Sequence, residues 1–117
     1  MDFTIEFYET KDGRCPMREF LDKLKTSDPD DFASVMAGLL KLRDRRYHSE
    51  PLSKALGNGL LELRHIGKLN TRVFWFFMKG RRIIAVHGLR NKGRAIPSSD
   101  LEIARSRMED WQLRNSP

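Results

Sequence analysis

The segment that most constrains the fold is Thr71-Arg72-Val73-Phe74-Trp75-Phe76-Phe77-Met78. It is apolar on both faces, as expected of a central strand covered on both sides rather than one half-exposed to water. Its one charge, Arg72, shares a face with Phe74 and Phe76. A guanidinium in that setting is costly unless it is paired or aimed at a bound anion. The run Val73 to Met78 is the longest apolar stretch of the chain, at six residues, against the about 20 that a bilayer crossing needs.

The rest of the chain divides by period. Phe3 to Tyr8 alternates at period two and predicts a strand, and Asp12-Gly13 predicts a turn. Pro16 suits the first position of a helix whose apolar face is Met17, Phe20, Leu21 and Leu24. Asp28-Pro29 predicts the start of a second helix, with Asp28 as cap and a stripe of Phe32, Val35, Met36, Leu39 and Leu42 that frays near Arg46. His48 to Asn58 reads as a loop. Leu60 to His65, Thr71 to Met78 and Ile83 to His87 read as strands. Ser99-Asp100-Leu101-Glu102 reads as a capping box ahead of a helix striped by Leu101, Ala104, Met108 and Trp111. The expected order is β-α-α-β-β-β-α, an α+β domain over residues 1–117 with a small antiparallel sheet and its helices on one face.

Charge is unevenly placed. Residues 1–40 carry five Lys/Arg and nine Asp/Glu (−4), residues 41–97 fourteen and three (+11), and residues 98–117 three and four (−1), within a net charge of +6. A segregated basic block is the electrostatic footprint of a polyanion partner, or else an uneven but merely solvated surface. The single cysteine, Cys15, excludes an internal disulfide and suits a reducing compartment. Asp2 and Glu6 stand where a signal peptide would be basic and then apolar, so the expectation is a cytoplasmic protein without a membrane segment. With no Cys/His cluster at ligand spacing and no close carboxylate pair, no metal and no cofactor are expected.

The candidate chemistry lies in the basic middle. Glu62 and Arg64 point to one face of their strand, and Leu61, Leu63 and His65 to the other. Arg64 and Arg72, on neighbouring strands, can converge on a phosphate, or Glu62 can neutralise them as a structural ion pair. His87-Gly88-Leu89-Arg90-Asn91-Lys92-Gly93-Arg94 follows a strand end and carries three cations in five residues, a composition suited to backbone phosphates. His87 is either a proton carrier or a satisfied structural histidine. A nuclease built from such residues needs a substrate with its own nucleophile, which RNA has in its 2′-OH. Arginine and lysine would stabilise the transition-state charge, and His87 or Lys92 would take the 2′ proton.

The series Pro16-Met17-Arg18-Glu19-Phe20-Leu21, Gly59-Leu60-Leu61-Glu62-Leu63-Arg64, Arg72-Val73-Phe74-Trp75-Phe76-Phe77 and His87-Gly88-Leu89 closes with Pro97 and the Asp100 to Arg107 helix. In this order it resembles the phage-derived, HigB-like branch of the RelE/ParE toxin superfamily over about residues 3–110. The resemblance implies a RelE-like, microbial RNase-type fold. It also implies the toxin of a type II toxin–antitoxin system, an endoribonuclease that cuts mRNA without metal, commonly on the ribosome, and so inhibits translation. Implied catalytic residues are Arg64, Arg72, His87 and Lys92. With the basic residues around them, the candidate RNA-binding set is Arg64, Lys68, Arg72, Arg90, Lys92 and Arg94. Implied partners are a cognate antitoxin, mRNA and the ribosome, with operator DNA reached only through the antitoxin complex. The chain has Thr71, Asn91-Lys92 and Ile96-Pro97 where the branch usually has tyrosine, paired lysines and Thr-Pro. The superfamily also contains gyrase poisons, so a non-cleaving toxin that binds a protein target is an alternative. A decayed toxin that only binds antitoxin is another.

Overall fold

A computed structural model describes residues 2–91 and 93–115. Its elements are β1 (Thr4–Phe7), α1 (Pro16–Ser27), α2 (Pro29–Lys41), a 3-10 turn (Arg45–Tyr47), β2 (Ser53–Gly57), β3 (Leu60–Leu63), β4 (Arg72–Met78), β5 (Arg82–Leu89) and α3 (Ser98–Arg114). The α+β class stands, with an N-terminal helix pair and a C-terminal helix. Both helix starts in the hairpin follow from the sequence. Pro16 and Pro29 open α1 and α2, where no N–H is needed, and the Asp28 side chain accepts the Asp31 N–H as cap.

Four expectations are corrected. The predicted loop His48 to Asn58 contains a strand, β2, which pairs antiparallel with β3. The turn between them is Asn58-Gly59, with φ of 54° and 90°, the two-residue hairpin geometry in which Asn-Gly is favoured. The five-stranded sheet is mixed, not antiparallel, in the order β1-β5-β4-β3-β2, because β1 pairs parallel to β5. Its helices cover both faces. Met17, Leu21 and Leu24 of α1 and Val35 and Leu39 of α2 pack with Leu63, Val73, Trp75, Ile83 and Ala85. Ala104 and Met108 of α3 pack on the other side with Leu60, Phe74, Phe76, Ile84 and Val86. The two-sided apolarity of β4 requires such a second layer. Finally, α3 begins two residues early, with Pro97 rather than Ser99 at its N-cap and no side-chain cap. Asp100, inside the expected capping box, pairs with His87.

Among the described residues no helix is long and apolar enough to cross a membrane.

Candidate anion-binding site

The register places the site on the α3 face. Glu62 pairs with Phe74 and Phe74 with His87, so these three side chains form one row across the sheet. The next row holds Arg72, opposite Leu89, and Arg64, which follows Leu63 and its partner Val73. At the β3 end of these rows the surface opens into a cavity of about 580 Å³. Four cations line it, Lys54, Arg64, Arg72 and Arg94, against one acid, Glu62. His65, Asn70 and Thr71 add polar groups, and Leu56, Ala95 and Ile96 add apolar wall.

Arg72 is the innermost of the cations. It is 5% exposed and Glu62 4%, and its Nε lies 2.9 Å from Glu62 Oε2. Its Nη2 donates to the carbonyl of Gly93 at 3.4 Å and to that of Arg94. Its Nη1 is buried without a partner among the described residues. A buried, charged N–H left unpaired forfeits at least about 1–3 kcal/mol, and it belongs to a side chain that lines the cavity. Arg64 reaches Glu50 Oε1 at 2.7 Å and the Pro51 carbonyl at 3.2 Å. Glu50 is exposed, so that ion pair is worth at most about 1 kcal/mol and yields readily to a bound phosphate. Arg94 is exposed, with no side-chain partner among the described residues. The β5–α3 loop that carries it is laced to the β3–β4 loop, since Asn70 Nδ2 donates to the Gly93 carbonyl at 3.0 Å.

Lys68 and Arg90 do not line the cavity. They are drawn to the N-terminal acids of α2, Lys68 Nζ to Asp28 at 3.7 Å and Arg90 to Asp28 at 2.7 Å and Asp31 at 3.2 Å. The Asp28 carboxyl is held below its usual range first by the Asp31 N–H it caps and then by Arg90. Asp31 is 1% exposed and accepts the Lys68 N–H at 2.6 Å and the Thr71 hydroxyl at 3.0 Å, which fixes the inner end of the β3–β4 loop.

His87 lies outside the cavity lining, and both its ring nitrogens are occupied. Nδ1 accepts from Arg107 at 3.1 Å, which leaves Nε2 to donate to Asp100 Oδ1 at 2.7 Å. The ring stacks on Phe74 at 5.8 Å and 18°. Burial pushes its pKa below 6.5, with Arg107 adding to the effect and Asp100 opposing it. Lys92 lies outside the described residues.

The family model described as "Phage derived protein Gp49-like (DUF891)" matches residues 19–109. The chain belongs to the Gp49-like family. That family is related to toxin–antitoxin toxins, and its matched span includes every residue of the cavity. No curated protein matches the sequence. In this Gp49-like chain Arg64 and Arg72, expected to converge from neighbouring strands, line one cavity, and Arg94 lines it with them. The structure adds two groups the sequence reading undervalued. Glu62 pairs with Arg72, as the ion-pair reading expected, and it also stands in the cavity wall. His65 was placed on the opposite face by alternation. The strand ends at Leu63, and His65 adopts φ 60°, which breaks the alternation and turns the residue into the cavity lining. Left-handed backbone at a residue other than glycine carries strain, which concentrates at functional sites.

Proposed function

We propose that this Gp49-like chain is the toxin of a type II toxin–antitoxin system and that it cleaves mRNA without a metal ion. The observation that carries the reading is the cationic cavity lined by Lys54, Arg64, Arg72 and Arg94. The family supports the toxin role and implies an antitoxin partner. The chemistry uses groups at hand. The RNA 2′ oxygen attacks the adjacent phosphorus, and the Glu62 carboxylate accepts its proton. The P–O5′ bond breaks, and His65 protonates the departing oxygen. The products are a 2′,3′-cyclic phosphate and a 5′ hydroxyl. Arg72, with Arg64 and Arg94, holds the non-bridging oxygens as charge builds on them. Such preorganised donors commonly contribute about 10²–10³ in rate each. His87, closed between Asp100 and Arg107, anchors α3 to β5.

The test is to induce the chain alone in a bacterial host and map new 5′ ends on mRNA, with His65→Asn beside it. Growth arrest with new 5′-hydroxyl ends inside translated frames, at least about 100-fold weaker for the variant, is the expected result. Arrest without RNA cuts would overturn this reading in favour of a protein target such as gyrase. A folded, antitoxin-free chain that causes no arrest would identify a decayed toxin.

A further inference from the structure

A second concavity of about 310 Å³ lies beside the cationic cavity, between α2 and the turn that follows β3. The two share one side chain, His65. On the α2 side stand Ser34, Ala37, Gly38 and Lys41, and on the turn Ile66 and Gly67. Two glycine contacts fix its wall. A Cβ on Gly38 would stand 2.4 Å from Ile66 Cγ2, and one on Gly67 would stand 2.3 Å from Asp31 Oδ1, so helix and turn approach as closely as bare backbone allows. The bond from the Lys68 N–H to Asp31 holds the turn a second time. The concavity is therefore formed in advance, and filling it costs little ordering. The Ser34 hydroxyl has no protein partner among the described residues.

We propose that this concavity receives the nucleobase next to the scissile phosphate, stacked on His65 and met at its edge by Ser34. The inference rests on the ribonuclease reading of the cationic cavity. A base is tied to its phosphate through one sugar. A phosphate held by Arg72 and Arg64 therefore obliges the base to lie in an adjoining space, and this one adjoins across a single side chain. Unstacked bases of single-stranded RNA seek a flat π face and edge hydrogen bonds. An imidazole offers its face to a base while an N–H on its edge points elsewhere, so stacking and proton donation by His65 are compatible. Lys41, over the Tyr47 ring at 5.6 Å, supplies a further cation on the α2 side.

The full chain, labelled for amide NMR, is titrated with inorganic phosphate and then with 2′-deoxynucleoside 3′- and 5′-monophosphates. Inorganic phosphate is expected to shift the amides of Arg72 and Arg94, and a nucleotide to shift these together with Ser34 to Lys41. The nucleotide should bind about tenfold tighter, the gain of one stacked base. In Ala37→Leu, an exposed helix position filled by a good helix former, that tenfold gain should disappear. A nucleotide that shifts only the Arg72 side, with the affinity of inorganic phosphate, overturns the base site and leaves the ribonuclease reading standing. No response to any probe overturns both.

Discussion

One face of the sheet carries two charge arrays, one buried and one partly buried. Arg72 with Glu62, and His87 with Asp100 and Arg107, are built from similar residue types, and Phe74 stands between Glu62 and His87 in the register. They differ in completion. Each nitrogen of His87 has a partner, and Phe74 covers the ring. Arg72 keeps one buried nitrogen without a partner among the described residues, and its side chain lines a cavity where cations outnumber acids four to one. A satisfied array holds elements together, whereas an unsatisfied one beside open space is prepared for a ligand. Residue type therefore does not separate function from structure here. Between these two arrays the difference is that one closes its hydrogen-bond account and the other leaves Arg72 Nη1 open among the described residues.

The largest test opens the Arg72 array. Arg72→Met leaves Glu62 buried and unpaired, which costs about 3–5 kcal/mol of stability, read as the midpoint of urea unfolding. Adding Glu62→Leu removes the stranded carboxylate, and the double variant should return to within about 1 kcal/mol of the parent or exceed it. RNA cleavage should fall by at least about 10²-fold in both. A double variant that regained cleavage with its stability would show the pair to be structural and sink the functional half of the comparison.

Much of the fold was legible because apolar period and turn chemistry are local signals. The two α-hairpin starts, the central strand and the C-terminal helix follow from Pro16, Asp28-Pro29, Val73 to Phe76 and Ala104-Met108. What escaped depends on partners far along the chain. β2 is short and ends at a glycine, and only its pairing with β3 makes it a strand. The parallel pairing of β1 with β5 joins segments about 78 residues apart, which no local pattern encodes. In the site, the convergence of Arg64 and Arg72 was legible from alternation on adjacent strands. Alternation also misplaced His65, since a strand's end cannot be read to the residue and one left-handed φ reverses a side chain. Arg90 and Lys68 looked as free as Arg94 in the sequence, and only the fold brings Asp28 and Asp31 to them.

Arg94 and Arg90 then sharpen the comparison on the cavity rim. Arg94→Ala removes an exposed side chain with no described partner, so stability should change by no more than about 0.5 kcal/mol. The slope of log affinity against log salt for a non-cleavable single-stranded RNA should fall by about 0.7, the loss of one phosphate contact. Arg90→Ala should do the reverse. It breaks contacts to Asp28 and Asp31 and lowers stability by about 1–3 kcal/mol, with the salt slope unchanged. Equal salt slopes for both variants, measured by fluorescence anisotropy, would erase the distinction between a paired and a free arginine.

The smallest expected effect probes the closed array by pH. His87 has a folded pKa below 6.5, chiefly because burial disfavours the imidazolium and Arg107 sits against it. Between that lowered pKa and 6.5 the unfolded chain binds a proton that the folded chain does not. The stability from His87 is thus complete above about pH 6.5 and is lost as pH falls toward the folded pKa. The carboxyls of Asp28 and Asp110, which start from 3.8 and are lowered further, titrate well below this window. Urea midpoints from pH 7.5 to 5.5 should therefore decline for the parent chain and stay flat for His87→Gln. At pH 7.5 the variant should be weaker by about 1–2 kcal/mol through its lost hydrogen bonds, with RNA cleavage within about threefold of the parent. Cleavage reduced 100-fold in a variant that still folds would place His87 in the chemistry. The two arrays would then be one extended site, with Phe74 its divider rather than its boundary.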